Sequence, residues 1–165
     1  MDVRAPRRTA RLRLRPITHA DHDEFLAIHL DPRTNSNRPD GPPSREWTES
    51  FLLSLIEAWQ ADLTYWAVES EGRVVGFAGA ERMTIFEREC WNLYYRFSPE
   101  VWGRGFATEA AREAVAVAAA LDSGRPVVAR TMPSNTAAIR VAERAGLTCR
   151  SDLDHGGYAV LAANW

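Results

Sequence analysis

The chain has 165 residues, 45% of them hydrophobic and 25% charged, which is the size and balance of one domain with a single core. Its formal net charge is -2, so it lacks the basic field that gathers nucleic acid, and we expect no nucleic-acid partner. No apolar stretch reaches the roughly 20 residues of a membrane span, and the N-terminus lacks the apolar core of a signal peptide. We therefore expect a cytoplasmic protein without a membrane partner. Two cysteines and four histidines show no zinc-ligand spacing, so we expect no metal site.

The first part of the chain predicts a tail, a strand, two helices and the loop between them. Residues 1–8 are expected to form a flexible tail, and residues 9–165 a single domain. Arg and Leu alternate in "RLRLRPIT", the pattern of a strand with one solvated face. Helical spacing of apolar residues predicts helices over Ala20–Leu30 and Ser44–Gln60. The intervening Asp31–Ser44 is rich in Pro, Gly, Asn and Asp, which predicts a binding loop or a mobile one.

The remainder of the chain predicts strands alternating with helices. The runs "TYWAVES" and "RVVGFAGAERM" read as a hairpin, and "CWNLYYRF", "RPVVARTM" and "GYAVLAANW" as further strands. Helices are predicted over Phe106–Leu121 and within "SNTAAIRVAERAG", where Gly146 is placed as the C-terminal cap. The order of elements predicts an α/β or α+β protein of packed layers with a mixed central sheet.

A glycine-rich turn, "VWGRGFAT", precedes the helix at Phe106. The first N–H groups of a helix are unpaired and lie at its positive end, so such a turn can hold an anion. Gly103 and Gly105 let the backbone approach phosphate oxygens, and Arg104 adds a positive charge. The mononucleotide P-loop is excluded because the chain contains no lysine. A dinucleotide fingerprint fits poorly, since Thr108 occupies its last position.

The stretch Trp102–Ala107 resembles the pyrophosphate loop of the GNAT superfamily of acetyl-CoA N-acetyltransferases. In that loop Gln or Arg is followed by two residues, a Gly, one residue, and Gly or Ala. The longer string "YRFSPEVWGRGFATEA" is similar to the RimJ/RimL-type branch, the ribosomal-protein-alanine acetyltransferase-like enzymes, which often have Trp at the first position. The segments "TARLRLRPITHAD", "YWAVESEGRVVGFAGA" and "NTAAIRVAERAGL" resemble the same branch in order and spacing.

This resemblance implies an α/β fold of α+β layers, with a mixed central sheet of about seven strands and helices on both faces. It also implies acetyl-CoA as cofactor and a cleft between two splayed parallel strands, Cys90–Phe97 and Pro126–Met132. The main chain of the strand end and of the turn would bind the cofactor, and the Asn135 side chain would bond its pantetheine arm. Asn135 is also suited to a plain helix N-cap. The expected cofactor-binding residues are Phe97, Trp102, Gly103, Arg104, Gly105, Phe106, Ala107, Thr108 and Asn135.

The resemblance also implies catalytic roles for Asn92, Tyr94 and Phe97. The N–H of Phe97 or its neighbour would polarise the thioester carbonyl. Asn92 stands where relatives often carry Glu, and an amide can orient a water but cannot accept a proton at neutral pH. Ala138 stands where many relatives have a Ser that protonates the thiolate, so a water or a hydroxyl such as that of Tyr94 must act. Candidate bases by region only are Glu81, Glu46, Glu49 and Asp40.

The implied function is direct transfer of an acetyl group to a primary amine. A protein α-amine has a pKa near 7.7–8.0 against about 10.4 for a lysine amine, so presenting it unprotonated costs roughly 3 kcal/mol less, which favours a protein N-terminus. One alternative is a small-molecule amine such as an antibiotic, an amino acid or a polyamine. Another is a catalytically silent acyl-CoA-binding module. We expect a monomer or a homodimer.

Overall fold

Eight strands form one sheet in the computed structural model, which describes residues 1–165. Four α-helices and short 3-10 turns connect them. The strands are β1 (Arg7–Arg8), β2 (Arg13–Pro16), β3 (Tyr65–Ser70), β4 (Arg73–Ile85), β5 (Arg88–Phe97), β6 (Val127–Thr131), β7 (Thr148–Cys149) and β8 (Ala159–Ala163). The helices are α1 (His22–Leu30), α2 (Arg45–Ala58), α3 (Phe106–Leu121) and α4 (Thr136–Arg144).

The sheet is mixed, in the order β1-β2-β3-β4-β5-β6-β8-β7. Every neighbouring pair is antiparallel except β5 and β6, which run parallel. The predicted mixed sheet is confirmed, with eight strands instead of about seven. Six of the eight strands were predicted as individual segments; the other two, β1 and β7, have two residues each and are too short to show a periodic pattern. Arg7 and Arg8 pair with Leu14 and Arg13, so the sheet begins inside the segment expected to be a tail.

Helices cover both faces of the sheet, as predicted. On one face α1 and α2 enclose a cluster of nine buried residues that includes Phe25, Leu52 and Phe77. On the other face α3 and α4 pack on a cluster of 25 buried residues. The buried stripe of α3 consists largely of alanines, and Ala110 and Ala114 are fully buried, because small side chains bring the helix close to the strands.

Candidate active site

A gap opens between β5 and β6 beyond their first paired residues. Only Trp91 and Asn92 of β5 are in register with β6, although β5 continues to Phe97. The central parallel strands therefore splay apart. Residues of β5 alternate between N–H groups that face β4 and N–H groups that face this gap. Ser98 donates to the Val75 carbonyl at 2.9 Å on the β4 side. Phe97, one residue earlier, accordingly directs its N–H into the gap.

Two contacts fix the end of β5 at Phe97. The Trp102 indole Nε1 donates to the Phe97 carbonyl at 3.0 Å, so the carbonyl has a partner within the protein while the N–H faces the gap. The Phe97 side chain is buried over β4, where a Cβ on Gly76 would come within 2.5 Å of its ring. Gly76 therefore leaves the room that this ring needs, and the backbone of Phe97 is held at the edge of the gap.

The glycine turn lies at the end of α3 that faces the gap. Gly103 and Gly105 both have φ of +79°, a left-handed backbone that side chains with a Cβ rarely adopt. Gly105 is the N-cap of the 16-residue α3 and has no side chain to cap it, so the first N–H groups of the helix remain available. A Cβ on Gly103 would meet nothing within 4 Å. The turn thus has open space and N–H donors where a diphosphate would bind.

A cleft of about 600 Å³ joins the turn to the gap. It is lined by Phe97, by all of the predicted turn residues except Arg104, and by Asn135. The structure therefore brings eight of the nine predicted cofactor-binding residues together. The Arg104 guanidinium instead lies 4.6 Å from the centre of the Phe106 ring, and the Arg104 carbonyl accepts from Arg11. Trp102 is 52% exposed, which leaves a face of its ring open at the cleft mouth.

Asn135 begins α4 and lines the cleft at the same time. Its Oδ1 accepts from the Ala138 N–H at 3.1 Å, which is the hydrogen bond of an N-cap. The Oδ1 atom is thereby engaged, whereas the Nδ2 group has no hydrogen-bond partner within the chain. The amide can cap the helix with its oxygen and offer its nitrogen to a ligand in the cleft.

We expect Asn135→Ala to lower the free energy of unfolding by about 1 kcal/mol, because α4 loses its N-cap. Asn135→Asp keeps an oxygen acceptor and should retain most of the stability, while it removes the Nδ2 donors. Chemical denaturation of both variants measures the cap. A loss of stability in Asn135→Asp as large as in Asn135→Ala would contradict this assignment of the oxygen to the cap.

Asn92 lies on the α1/α2 face of the sheet and does not line the cleft. Its Nδ2 donates to the Tyr65 hydroxyl at 2.8 Å, and that hydroxyl donates to the Glu81 carboxylate. The Thr64 hydroxyl donates to the second Glu81 oxygen at 3.5 Å. Burial, followed by the charge of Glu81, raises the pKa of Tyr65 well above its usual value. Asn92 is thus joined to Glu81, a predicted candidate base, through a tyrosine that the sequence did not single out.

Tyr94 lies on the same face and bonds His29. The His29 Nδ1 donates to the Phe25 carbonyl at 2.8 Å, so the Nε2 atom, 2.7 Å from the Tyr94 hydroxyl, is the acceptor of a neutral ring. Burial, and then the positive charge of Arg96, lowers the pKa of His29 to about 3. Burial also raises the pKa of Tyr94. The Tyr94 proton is therefore directed at His29, away from the cleft.

Several cleft residues were not predicted from the sequence. Tyr95 lines the α3/α4 side and donates to the Ala138 carbonyl at 2.6 Å, and burial raises its pKa. Arg96 lines the opposite side. The strand alternation of "NLYYRF" could have indicated that Tyr94 and Tyr95 lie on opposite faces. The predicted loop Asp31–Ser44 also reaches the cleft, through Arg33, Thr34, Ser36 and Asn37.

No three His, Cys, Asp or Glu side chains gather closely enough to hold a metal ion. None of the helices combines the length and the apolar character needed to cross a membrane.

Known proteins share this architecture and parts of the sequence. An Aspergillus fumigatus protein named FsC-acetyl coenzyme A-N(2)-transacetylase is 30% identical over 151 residues, which cover 85% of this chain and 63% of that protein. This chain thus matches a little under two thirds of that relative's length. An acetyltransferase structure from Agrobacterium tumefaciens has a TM-score of 0.84 at 23% identity, covering 98% of this chain and 95% of the other. A ribosomal-protein-S5-alanine acetyltransferase from Vibrio fischeri has a TM-score of 0.74 at 16% identity, covering 96% of both chains.

The family model of the acetyltransferase (GNAT) domain matches residues 11–148, which include the gap, the glycine turn and α4. Acetyl-CoA is the acyl donor of this family, and solved relatives hold CoA or acetyl-CoA. The open glycine turn, the N-terminus of α3 and the gap beside Phe97 fit a diphosphate followed by an extended arm. The chain belongs to the GNAT acetyltransferase family and has the fold of that family.

Proposed function

We propose that this protein transfers the acetyl group of acetyl-CoA to a primary amine by direct attack on the thioester, and that it prefers a protein N-terminal α-amine. The observation that carries the proposal is the Phe97 N–H, which faces the gap at the inner end of the cleft. An N–H donor in this place stabilises the negative charge that develops on the thioester carbonyl oxygen during the attack. Acetyl-CoA supplies the activated acetyl group when it is bound.

The residues of the α1/α2 face supply a route for the amine's proton in this proposal. Asn92 orients a water beside the acceptor but carries no proton itself. The water takes the amine's proton and passes one to the Tyr65 hydroxyl, which gives its own proton to the Glu81 carboxylate. A base that acts through such a chain favours an amine of low pKa, which is the reason for preferring an α-amine to a lysine side chain. The motif resemblance to the RimJ/RimL-type branch supports the same preference.

Protonation of the leaving thiolate has two tyrosine candidates. Tyr94 was predicted for this role, but its hydroxyl must leave His29 before its proton is available to the cleft. Tyr95 lines the cleft and has its hydroxyl beside Ala138. A water or one of these two hydroxyls completes the reaction in this proposal.

An acceptor panel read by release of free thiol tests the function. We expect peptides with free α-amines to be acetylated faster than an aminoglycoside, free amino acids or a polyamine, all at equal concentration. Because the chain has no lysine, the enzyme adds only its own N-terminal amine to the background. Turnover confined to small amines would contradict the preference for protein N-termini. Tight acetyl-CoA binding without thiol release from any amine would favour the silent acyl-CoA-binding module.

A further inference from the structure

We propose that the acceptor carries a carboxylate a few bonds from its amine, and that Arg96 binds this carboxylate. The proposal rests on the proposed function and names the chemical class of its acceptor. It follows from the position of Arg96, from its partners, and from the charges of the other side chains that line the cleft.

Arg96 lies on the side of the sheet from which an acceptor must approach. The glycine turn and α4 bound the cleft on the α3/α4 side, where the diphosphate and the arm of the donor fit. The acetyl group would meet the Phe97 N–H in the gap, so the amine has to reach it from the α1/α2 side. Arg96 precedes Phe97 by one residue and faces that side, with Thr34 and Asn35 beside it.

Neutral partners hold the Arg96 guanidinium in place. Its Nη1 donates to the Asn35 Oδ1 at 3.0 Å and to the Thr34 hydroxyl at 3.5 Å. Asn35 is itself buried and fixed, since its Nδ2 donates to the carbonyls of His29 and Asp31 at 2.8 Å each. The guanidinium is thereby oriented before a ligand binds, which lowers the entropy cost of binding one.

No carboxylate neutralises Arg96. It takes part in none of the ion pairs of the structure, which involve nine of the 20 arginines of the chain. Arg33, which lines the same side of the cleft, is bonded to Asp31 at 2.7 Å and to Glu100 at 3.3 Å. Arg96 is only partly exposed, so solvent compensates its charge incompletely. Consistent with this, its charge adds to burial in lowering the pKa of His29 and opposes the rise that burial causes in the pKa of Tyr94.

The cleft as a whole selects against a cationic acceptor. Its lining contains four arginines and no Asp or Glu: Arg33, Arg96, Arg140 and Arg144. Arg140 and Arg144 belong to α4 and lie with the donor side, and Arg33 has its own carboxylates. Arg96 is therefore the cation left for the acceptor. A planar guanidinium binds a carboxylate by two parallel hydrogen bonds, which matches an amine that bears such a group.

Matched acceptor pairs that differ only in charge test this inference. The small pair is the α-amides of aspartate and asparagine, and the peptide pair is tripeptide amides beginning with Asp or with Asn. Within each pair the amine has the same neighbouring amide, so the members differ by one carboxylate. We expect the wild-type kcat/KM to be at least tenfold higher for the carboxylate member of one pair or of both. A preference in the peptide pair identifies an acidic protein N-terminus as the acceptor. A preference confined to the small pair identifies an amino-acid-like acceptor, and it would overturn the proposed preference for protein N-termini while the role of Arg96 stands.

Substitutions then assign the preference to Arg96. Arg96→Gln should lower kcat/KM for the carboxylate member about tenfold, mostly through KM, and leave the neutral member within twofold. Arg96→Lys should restore part of the preference, since it keeps the charge but loses the two-pronged geometry. Arg73→Gln is the matched control: Arg73 is an exposed arginine of the β3–β4 hairpin outside the cleft, and its loss should leave the preference intact.

The possible outcomes distinguish a failure of the role of Arg96 from a failure of the proposed acetyl transfer. Equal rates for both members of both pairs in the wild type, or a preference that persists in Arg96→Gln, would overturn the role of Arg96 while acetyl transfer stands. Absence of turnover with every amine would overturn the proposed function, and the inference with it. The wild-type comparison needs no variant, so it decides the matter even if Arg96→Gln fails to fold.

Discussion

Gly103→Ala should weaken acetyl-CoA binding by between about tenfold and a hundredfold. Gly103 has φ of +79° in the turn that begins α3 and lines the cleft, and a Cβ there would meet no protein atom within 4 Å, so we expect its methyl group to occupy space needed by the diphosphate. It would displace the diphosphate from the N–H groups at the start of α3, where each lost hydrogen bond to a charged group costs about 1.5–3 kcal/mol. Isothermal titration of CoA and acetyl-CoA into the variant measures the effect.

Gly72→Ala is the matched control for this substitution. Gly72 has φ of +78° in the β3–β4 turn, and a Cβ there would also meet nothing within 4 Å. Both variants therefore carry the same left-handed strain of about 1–2 kcal/mol, which lowers the free energy of unfolding equally. Only Gly103→Ala should lose affinity for CoA. Equal affinities in the two variants would show that the diphosphate does not bind against the turn.

The glycine turn could be predicted from the sequence because its chemistry is local. Gly103 and Gly105, together with the start of the helix at Phe106, form one continuous segment, so the conformation and the donors are encoded within a few residues. Most helices and long strands were predictable for the same reason, since their periodicity is local. The two-residue strands β1 and β7 are defined by their pairing with other segments, and no local sequence pattern predicts them.

The acceptor side of the cleft could not be predicted in this way. The hydrogen bonds from Asn92 to Tyr65 and from Tyr65 to Glu81 cross three strands, and the sequence does not reveal the register that joins them. The lack of a carboxylate partner for Arg96 is visible only in the structure, where the contacts of each arginine are known. In the sequence, "YYRF" does not indicate whether its arginine has a carboxylate neighbour. Both features depend on contacts between residues that are far apart in the chain.

His29 connects the acceptor side to the stability of the domain, and we expect it to make unfolding depend on pH. The ring is 2% exposed, is stacked 3.8 Å from Phe25, and has Tyr94 and Arg96 as its titratable or charged neighbours. Burial and then Arg96 lower its pKa from 6.5 to about 3 in the folded protein. Between these two values the unfolded chain binds a proton at His29 that the folded chain does not bind. The contribution of His29 to the free energy of unfolding is therefore fully present above pH 6.5 and is lost as the pH falls toward 3.

The expected loss attributable to His29 is about 2 kcal/mol between pH 7 and pH 5, in the free energy of unfolding measured by urea denaturation. His29→Gln should be less stable at pH 7 but should lose this part of the pH dependence. The window lies above the usual pKa values of Asp and Glu, so the carboxylates contribute little to the difference. An unchanged pH dependence in His29→Gln would contradict the neutral, buried state of the ring.

His22→Gln supplies a control of opposite sign. The hydrogen bonds of Asp23 and then Glu49 raise the pKa of His22, so this exposed histidine favours the folded state in acid. Its removal should make the fall in stability on acidification slightly steeper, whereas removal of His29 makes it shallower. Opposite changes from the two substitutions would show that the effect comes from the location of the imidazole. Since Tyr94 donates to the neutral His29 ring, the same measurements would show that His29 is neutral, and so able to accept this hydrogen bond, at every pH at which the α-amine of an acceptor is unprotonated.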